Sequence, residues 1–303
     1  MIYHSLVRII DSHVHFWRIG GPGQTWPGPE LPLLYRDFGR PELDEAISCT
    51  TASASRASAS SGSPSGTSTP AAEIQSVVLV QSQPDDRDTD WLLGLAANVP
   101  LVAAVVGWAD LASPSAPERI AHLASVPKLR GIRPMLQAIE DTHWLLRHEL
   151  EPALHSMVQQ GLRFDALIQP RHLPMLMEFA RRWPTLPIVI DHAAKPRIPL
   201  GEIEPWQAQL AELSLFPNVY CKLSGLRTEQ AAGASSAQLE PYMRLLMGSF
   251  RGRLLWGSDW PVLLNSGDRY CDWLQTAIHA AQSEGIALQS IFREAADRFY
   301  GLS

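Results

Sequence analysis

Short apolar, β-branched runs alternate with stretches of helical periodicity along most of the chain. The runs predict strands at Val7–Asp11, Ser76–Gln81, Leu101–Val106, Leu129–Arg133, Arg163–Ile168, Pro187–Asp191, Val219–Leu223 and Leu254–Gly257. Apolar positions spaced three and four apart predict helices over Thr89–Ala97, Ala116–Ala124, Leu173–Arg182, Pro205–Leu213, Ser236–Ser249, Asp268–Glu284 and Leu288–Phe299. Repeated strand–helix units favour a parallel sheet, and eight of them favour closure into a (β/α)8 TIM barrel. No glycine-rich phosphate fingerprint follows the first strand, which argues against an open nucleotide-binding sheet. One stretch breaks the alternation. Residues Ser48 to Ala72 are almost entirely Ser, Ala, Thr, Gly and Pro, with Arg56 as the sole charge. Such a composition buries too little apolar surface to offset its ordering entropy, so a flexible Ser/Ala/Thr-rich loop is expected between strands one and two. The length of 303 residues suits one such barrel, spanning 1–303 with that loop at 48–72.

Composition narrows the function classes. A net charge of −6 without clustered basic residues argues against nucleic-acid or anionic-membrane partners. No apolar run approaches the roughly 18 residues that a membrane span needs. Met1 to Ile10 lacks the apolar core and cleavage site of a signal peptide, so none is expected. Cys49, Cys221 and Cys271 are odd in number and far apart, which predicts neither a disulfide framework nor a CxxC metal motif. A reducing, cytoplasmic setting is the simplest expectation.

The polar residues at strand ends carry the candidate chemistry. In Asp11-Ser12-His13-Val14-His15, alternation puts Asp11, His13 and His15 on one face, toward the lumen. Two imidazoles at that spacing can converge on a metal or a substrate oxygen. The run Ile188-Val189-Ile190-Asp191-His192 ends an apolar strand in Asp-His, with His192 sharing a face with Ile188 and Ile190. Asp191 is expected on the opposite face. In Trp256-Gly257-Ser258-Asp259-Trp260-Pro261, Gly257 permits close approach and Asp259 sits where the last strand opens into its loop. Arg133 ends strand four, where it can bind a carboxylate. Asp165 is expected deep inside as an internal polar group, and Lys222 on strand seven can face either way. Trp17, Gln81, Gln83 and Trp108 fall just after strands, where aromatics suit stacking on a sugar ring.

Together, His-x-His after strand one, the DHAAKP run at 191–196, the CKLSG run at 221–225 and the WGSDWP run at 256–261 resemble the amidohydrolase-2 group of the amidohydrolase superfamily. Within it the chain is most similar to the lactonases of sugar acids and of pyrone dicarboxylate. The resemblance implies hydrolysis of a small-molecule lactone. It implies Asp259 as the base on the hydrolytic water, and His13, His15 and His192 as groups that polarise the carbonyl or hold a divalent metal with Asp259. Arg133 is implied as a substrate contact, with Trp17, Gln83, Trp108 and Lys195 around it. The chain departs from its relatives at Pro134, where many carry histidine, so that histidine's role is absent here. Strands four and five offer Arg133, Asp165 and Gln169 in place of the extra metal ligands of binuclear members. A binuclear site is therefore not expected. One zinc ion and a metal-independent reaction both stay open. The rival readings are a zinc-dependent decarboxylase or amide hydrolase of the same superfamily, and a non-catalytic barrel that binds a sugar acid.

Overall fold

A computed structural model describes residues 6–21, 23–57 and 70–302. Eight strands, β1 (Val7–Val14), β2 (Ala72–Val80), β3 (Val102–Gly107), β4 (Leu129–Ile132), β5 (Arg163–Ala166), β6 (Ile188–Ile190), β7 (Val219–Leu223) and β8 (Leu254–Trp256), pair in parallel and in chain order. Helices α1 (Arg40–Ala57), α2 (Asp86–Ala96), α3 (Ala116–Ala124), α4 (Glu151–Gln159), α5 (Leu173–Arg182), α6 (Trp206–Leu213), α7 (Glu240–Ser249) and α8 (Tyr270–Ser283) follow the strands one by one. This is the expected (β/α)8 barrel. The sheet closes just past β8, where Val14 bridges Trp260 and the His15 amide donates to the Trp260 carbonyl at 2.8 Å.

Two apolar layers hold the barrel. Outward-facing residues such as Ile9, Val77, Val105, Ile132, Phe164, Ile188, Ile190, Cys221 and Leu223 pack against the helices in one large core. Inward-facing Ile10, Val78, Val80, Ala104, Val106, Val189 and Leu255 fill the lower lumen. A final helix, α9 (Ala295–Tyr300), closes the lower mouth and packs Ala295, Ala296, Phe299 and Tyr300 into the same inner cluster. The division between these two layers fixes which face of each strand is the lumen.

Strand positions match the apolar pattern to within a few residues, but two helices carried no clear signal. Helix α4 follows two single 3-10 turns, and its apolar stripe is only Ala153, Leu154 and Met157. Helix α1 starts with Pro41 in its first turn, where the missing amide costs nothing, and with the Glu42 carboxylate accepting from the Gly39 amide at 2.9 Å. It then continues to Ala57, into the stretch expected to be a loop. Alanine favours the helix, and an established helix propagates at little cost through Ser and Ala. The expected loop is thus shortened at its start, and residues 58–69 lie outside the described residues.

The cysteine expectation is also corrected. Cys49 on α1 and Cys271 on α8 form a disulfide, with a Cα–Cα distance of 6.4 Å across 222 residues of sequence. Closure of the barrel makes the first and last helices of the ring neighbours, which no sequence spacing reveals. The argument for a reducing setting drawn from the cysteines therefore falls away. Cys221 stays free and buried on β7. Thiol titration in denaturant without reductant should count one cysteine, and three would exclude the bond. Cys271→Ser should lower the unfolding free energy by about 2–5 kcal/mol in a denaturant melt.

Candidate active site

The seam that closes the barrel is also where the candidate residues meet. The Asp259 amide donates to the His13 carbonyl at 2.9 Å, so the chain after β8 is bonded to the His-x-His backbone itself. Gly257 lies so close to β1 that a Cβ there would sit 2.8 Å from His13 Cβ. The Ser258 amide donates to Asp11 Oδ1 at 2.9 Å, and Tyr270 of α8 donates its hydroxyl to Asp11 Oδ2 at 2.8 Å. Asp11 therefore faces outward, as Ile9 does, and not into the lumen with His13 as expected. A register shift between Asp11 and Val14 breaks the period of two and turns His13 into the lumen.

His192 reaches the site by a different route. Val189 lies in the lumen cluster and Ile188 and Ile190 lie outside. The parity read from sequence was right, but the face assigned to the lumen was not. Asp191 points inward, and His192 would point outward if the strand continued. Instead His192, Ala193, Ala194 and Lys195 take φ of 51, 50, 59 and 53°, a left-handed turn that swings His192 back over the mouth. Trp206 on α6 pins this turn by donating Nε1 to the Ala193 carbonyl at 2.7 Å. Ser224 Oγ lies 2.9 Å from His192 Nδ1. Gly225, at φ +64°, makes room, since a Cβ there would lie 2.4 Å from His192 Nδ1.

Asp259, itself at φ 57°, aims Oδ1 at all three imidazoles. Oδ1 lies 3.5 Å from His15 Nε2 and 3.8 Å from both His13 Nε2 and His192 Nε2. His13 Nε2 and His15 Nε2 are 3.1 Å apart, and His15 Nδ1 lies 2.7 Å from the Val80 carbonyl. Burial lowers the basicity of His13 and His15 and brings His192 down to about 4. Burial alone would raise the Asp259 carboxyl, but His192, His15 and His13 outweigh it and hold that group below the usual carboxylate range. At neutral pH the site is one carboxylate facing three neutral imidazoles.

Beneath this cluster lies a buried ionic layer. Lys222 projects from β7 into the lumen, with Nζ 2.6 Å from Asp165 Oδ2 and 2.9 Å from Asp191 Oδ1. Tyr300 of α9 donates its hydroxyl to Asp165 Oδ2 at 2.7 Å, which makes Asp165 the internal polar group expected of it. Arg133 also turns inward. Its Nη1 lies 3.3 Å from Asp191 Oδ2, Nη2 donates to the Gln81 carbonyl, and buried Nε has no partner among the described residues. Lys222, His13 and Arg133 together hold Asp191 well below the usual carboxylate range in spite of its burial.

The donor set fits a divalent cation by position. Bonds of about 2.0–2.2 Å in a tetrahedron put neighbouring donors roughly 3.3–3.6 Å apart, close to the separations among His13, His15 and Asp259. His192 Nε2 stands 3.8 Å from the same Oδ1, and its donors group with His13 and Asp191 as a second, overlapping set of three. The other expected contacts are placed differently. Trp17 is buried in the loop after β1, packed on Trp26 and Phe38, and its Nε1 donates to the Arg36 carbonyl at 2.8 Å. Gln83 Oε1 accepts from the Thr25 and Trp26 amides at 2.9 and 3.1 Å, so it holds that same loop. Lys195 pairs with Glu229 at 3.2 Å on the rim, beside a cavity of about 570 Å³ that Gln169, Arg171 and Thr228 also line. Trp108 is half-buried, with its amide donating to Thr89 Oγ1 at 2.8 Å. Sequence reasoning named Asp191 but set it on the wrong face, and it gave no role to Tyr300, Ser224, Gly225 or Trp206. Asp165, and a charged Lys222 between outward Cys221 and Leu223, were the signals that the middle of the lumen is polar.

The chain is similar to known proteins over most of its length. The chain is 46% identical over 268 residues to an L-fucono-1,5-lactonase of Burkholderia ambifaria, a match covering 88% of this chain and 85% of that one. A second L-fucono-1,5-lactonase, of Burkholderia multivorans, is 31% identical over 267 residues, covering 84% and 82%. Crystal structures of an amidohydrolase from Burkholderia multivorans, one with bound HEPES and one with bound zinc, superpose with TM-scores of 0.83 and 0.82. Both are 29% identical and cover 98% of this chain and 100% of theirs. The family profile described as Amidohydrolase matches residues 10–302, and the chain belongs to that family.

Proposed function

We propose that this protein hydrolyses the ring ester of a sugar-acid lactone of the L-fucono-1,5-lactone kind. The observation that carries the reading is the convergence of Asp259 Oδ1 on the Nε2 atoms of His13, His15 and His192 in a buried mouth. The 46% identity to an L-fucono-1,5-lactonase supports the substrate class.

The chemistry follows from the charges. The Asp259 carboxylate accepts a proton from water as the water oxygen attacks the ring carbonyl carbon. His13, His192 and Arg133 stabilise the oxyanion that forms, since donors in a water-poor pocket act at low dielectric, and His15 holds His13 in place at 3.1 Å. Collapse of that intermediate breaks the bond to the ring oxygen, which takes the proton back from Asp259. The product is an open-chain hydroxy acid that leaves as its carboxylate. A low basicity limits Asp259 as a proton acceptor, and an ester carbonyl with an alkoxide leaving group asks less of a base than an amide does. A bound zinc, held by His13, His15, His192 and Asp259, would polarise the carbonyl as a Lewis acid. We assign Lys195 to the substrate's carbinol side at the rim and Trp108 to the wall. Trp17 and Gln83 act by fixing the loop after β1.

Against a panel of fucono-, rhamnono-, galactono- and gluconolactone and pyrone dicarboxylate, read by acid release, turnover is expected on at least one sugar-acid lactone. Silence on all of them, with and without a chelator, excludes the reading. Asp259→Asn should nearly abolish kcat, and His192→Ala should lower it by ~100-fold or more. Full activity of Asp259→Asn would remove the mechanism. Gly225→Ala should leave the circular dichroism spectrum unchanged but cut kcat by ~10- to 100-fold, because the methyl displaces His192.

A further inference from the structure

We propose that Lys222 is a positioning residue that fixes the tautomer of His13, so that His13 meets the mouth with an Nε2–H donor and keeps its electron pair turned down into the barrel. Lys222 sits wholly buried on β7, and its ammonium has three hydrogens and no acceptor. Three groups surround Nζ: Asp165 Oδ2 at 2.6 Å, Asp191 Oδ1 at 2.9 Å and His13 Nδ1 at 3.1 Å. Against an ammonium, His13 Nδ1 must supply the electron pair. The proton of the neutral ring then resides on Nε2.

The far end of the chain of contacts is matched to the same arrangement. The Val80 carbonyl can only accept, so His15 Nδ1, 2.7 Å away, carries the hydrogen. The His15 Nε2 electron pair therefore faces the mouth. It lies 3.1 Å from His13 Nε2, and that contact is favourable only if His13 Nε2 is protonated. Either other tautomer would set two hydrogens or two electron pairs against each other. Arg133 Nη1 carries two hydrogens; Asp191 Oδ2 at 3.3 Å takes one, and its contact with His13 Nε2, at 3.4 Å, is the longest of the three hydrogen-bond contacts on that ring. A directed relay results: Lys222 donates to His13, His13 to His15, and His15 to the Val80 carbonyl.

The consequence concerns the choice between a substrate oxygen and a cation. A carbonyl oxygen entering the mouth can take the His13 Nε2–H from His15, whereas a cation needs an electron pair there. To ligate metal, His13 must move its proton to Nδ1, which sets an N–H against the Lys222 ammonium. Lys222 thus biases the mouth toward hydrogen-bond donation and away from metal. The tautomer follows from hydrogen bonding alone, and only its effect on a carbonyl rests on the lactonase reading.

Two-bond proton–nitrogen spectra of the full chain labelled with ¹⁵N-histidine test this, with His13→Gln to assign the ring. In the metal-free protein at neutral pH, His13 is expected to be protonated at Nε2 and bare at Nδ1, and His15 the reverse. Lys222→Met should shift His13 toward the Nδ1–H form and tighten zinc binding, measured calorimetrically, by about 10-fold or more. Lys222→Arg, which keeps the donors, should preserve the original signature. If Lys222→Met does not fold, Lys222→Met with Asp165→Asn removes one stranded carboxylate and carries the same expectation. A His13 ring protonated at Nδ1 in the unmutated protein overturns the proposal, as does an unchanged tautomer in the Met variant. The expected signature in a protein that opens no lactone upholds the Lys222 assignment and excludes the lactonase reading.

Discussion

Closure of the sheet between its first strand and the segment after its last is the constraint on which this molecule depends. Three backbone amides make it: Asp259 to the His13 carbonyl, His15 to the Trp260 carbonyl, and Ser258 to the Asp11 side chain. The same amides belong to the residues that face the mouth. A barrel that failed to close would therefore lose its site with its fold, because the carboxylate and two of the imidazoles are placed by the seam and not by flexible loops. Gly257 is small because β1 passes against it, and Asp11 is turned outward because Ser258 and Tyr270 need its oxygens.

Charge is layered along the lumen. The floor is apolar and sealed by α9, the middle holds Lys222 with Asp165 and Asp191, and the mouth holds Arg133, Asp259 and the histidines. Burying two carboxylates and an ammonium is tolerable only where each finds partners at hydrogen-bonding distance, and Tyr300 supplies one of these from the far end of the chain. The middle layer connects the rigid floor to the reactive mouth through His13.

The barrel was legible because eight apolar strands in a row leave little else for a sheet to do. His13, His15 and Asp259 were legible because a strand end in a barrel is a catalytic position whichever way the details fall. His192 was found on a mistaken premise: its parity pointed outward, and four left-handed residues reversed it. Asp191 was misplaced because the outward face of its strand was taken for the lumen, and Asp11 because a register shift separates it from His13. A period of two predicts faces only until a bulge or a turn intervenes, and strand sequences carry no mark of a one-residue register shift. The Cys49–Cys271 bond and helix α1 depend on ring closure and on helix propagation through Ser and Ala, neither of which local composition records.

The left-handed turn has a thermodynamic consequence of its own. Each non-glycine residue in that conformation costs roughly 1–2 kcal/mol, so the run from His192 to Lys195 amounts to about 4–8 kcal/mol. That is comparable to the whole net stability of an ordinary domain. The turn is held by Trp206, Ser224 and the space left at Gly225, and so by α6 and β7 packing around it. As the barrel loosens on heating, this segment gains the most by relaxing, and catalysis should disappear while the eight strands are still paired.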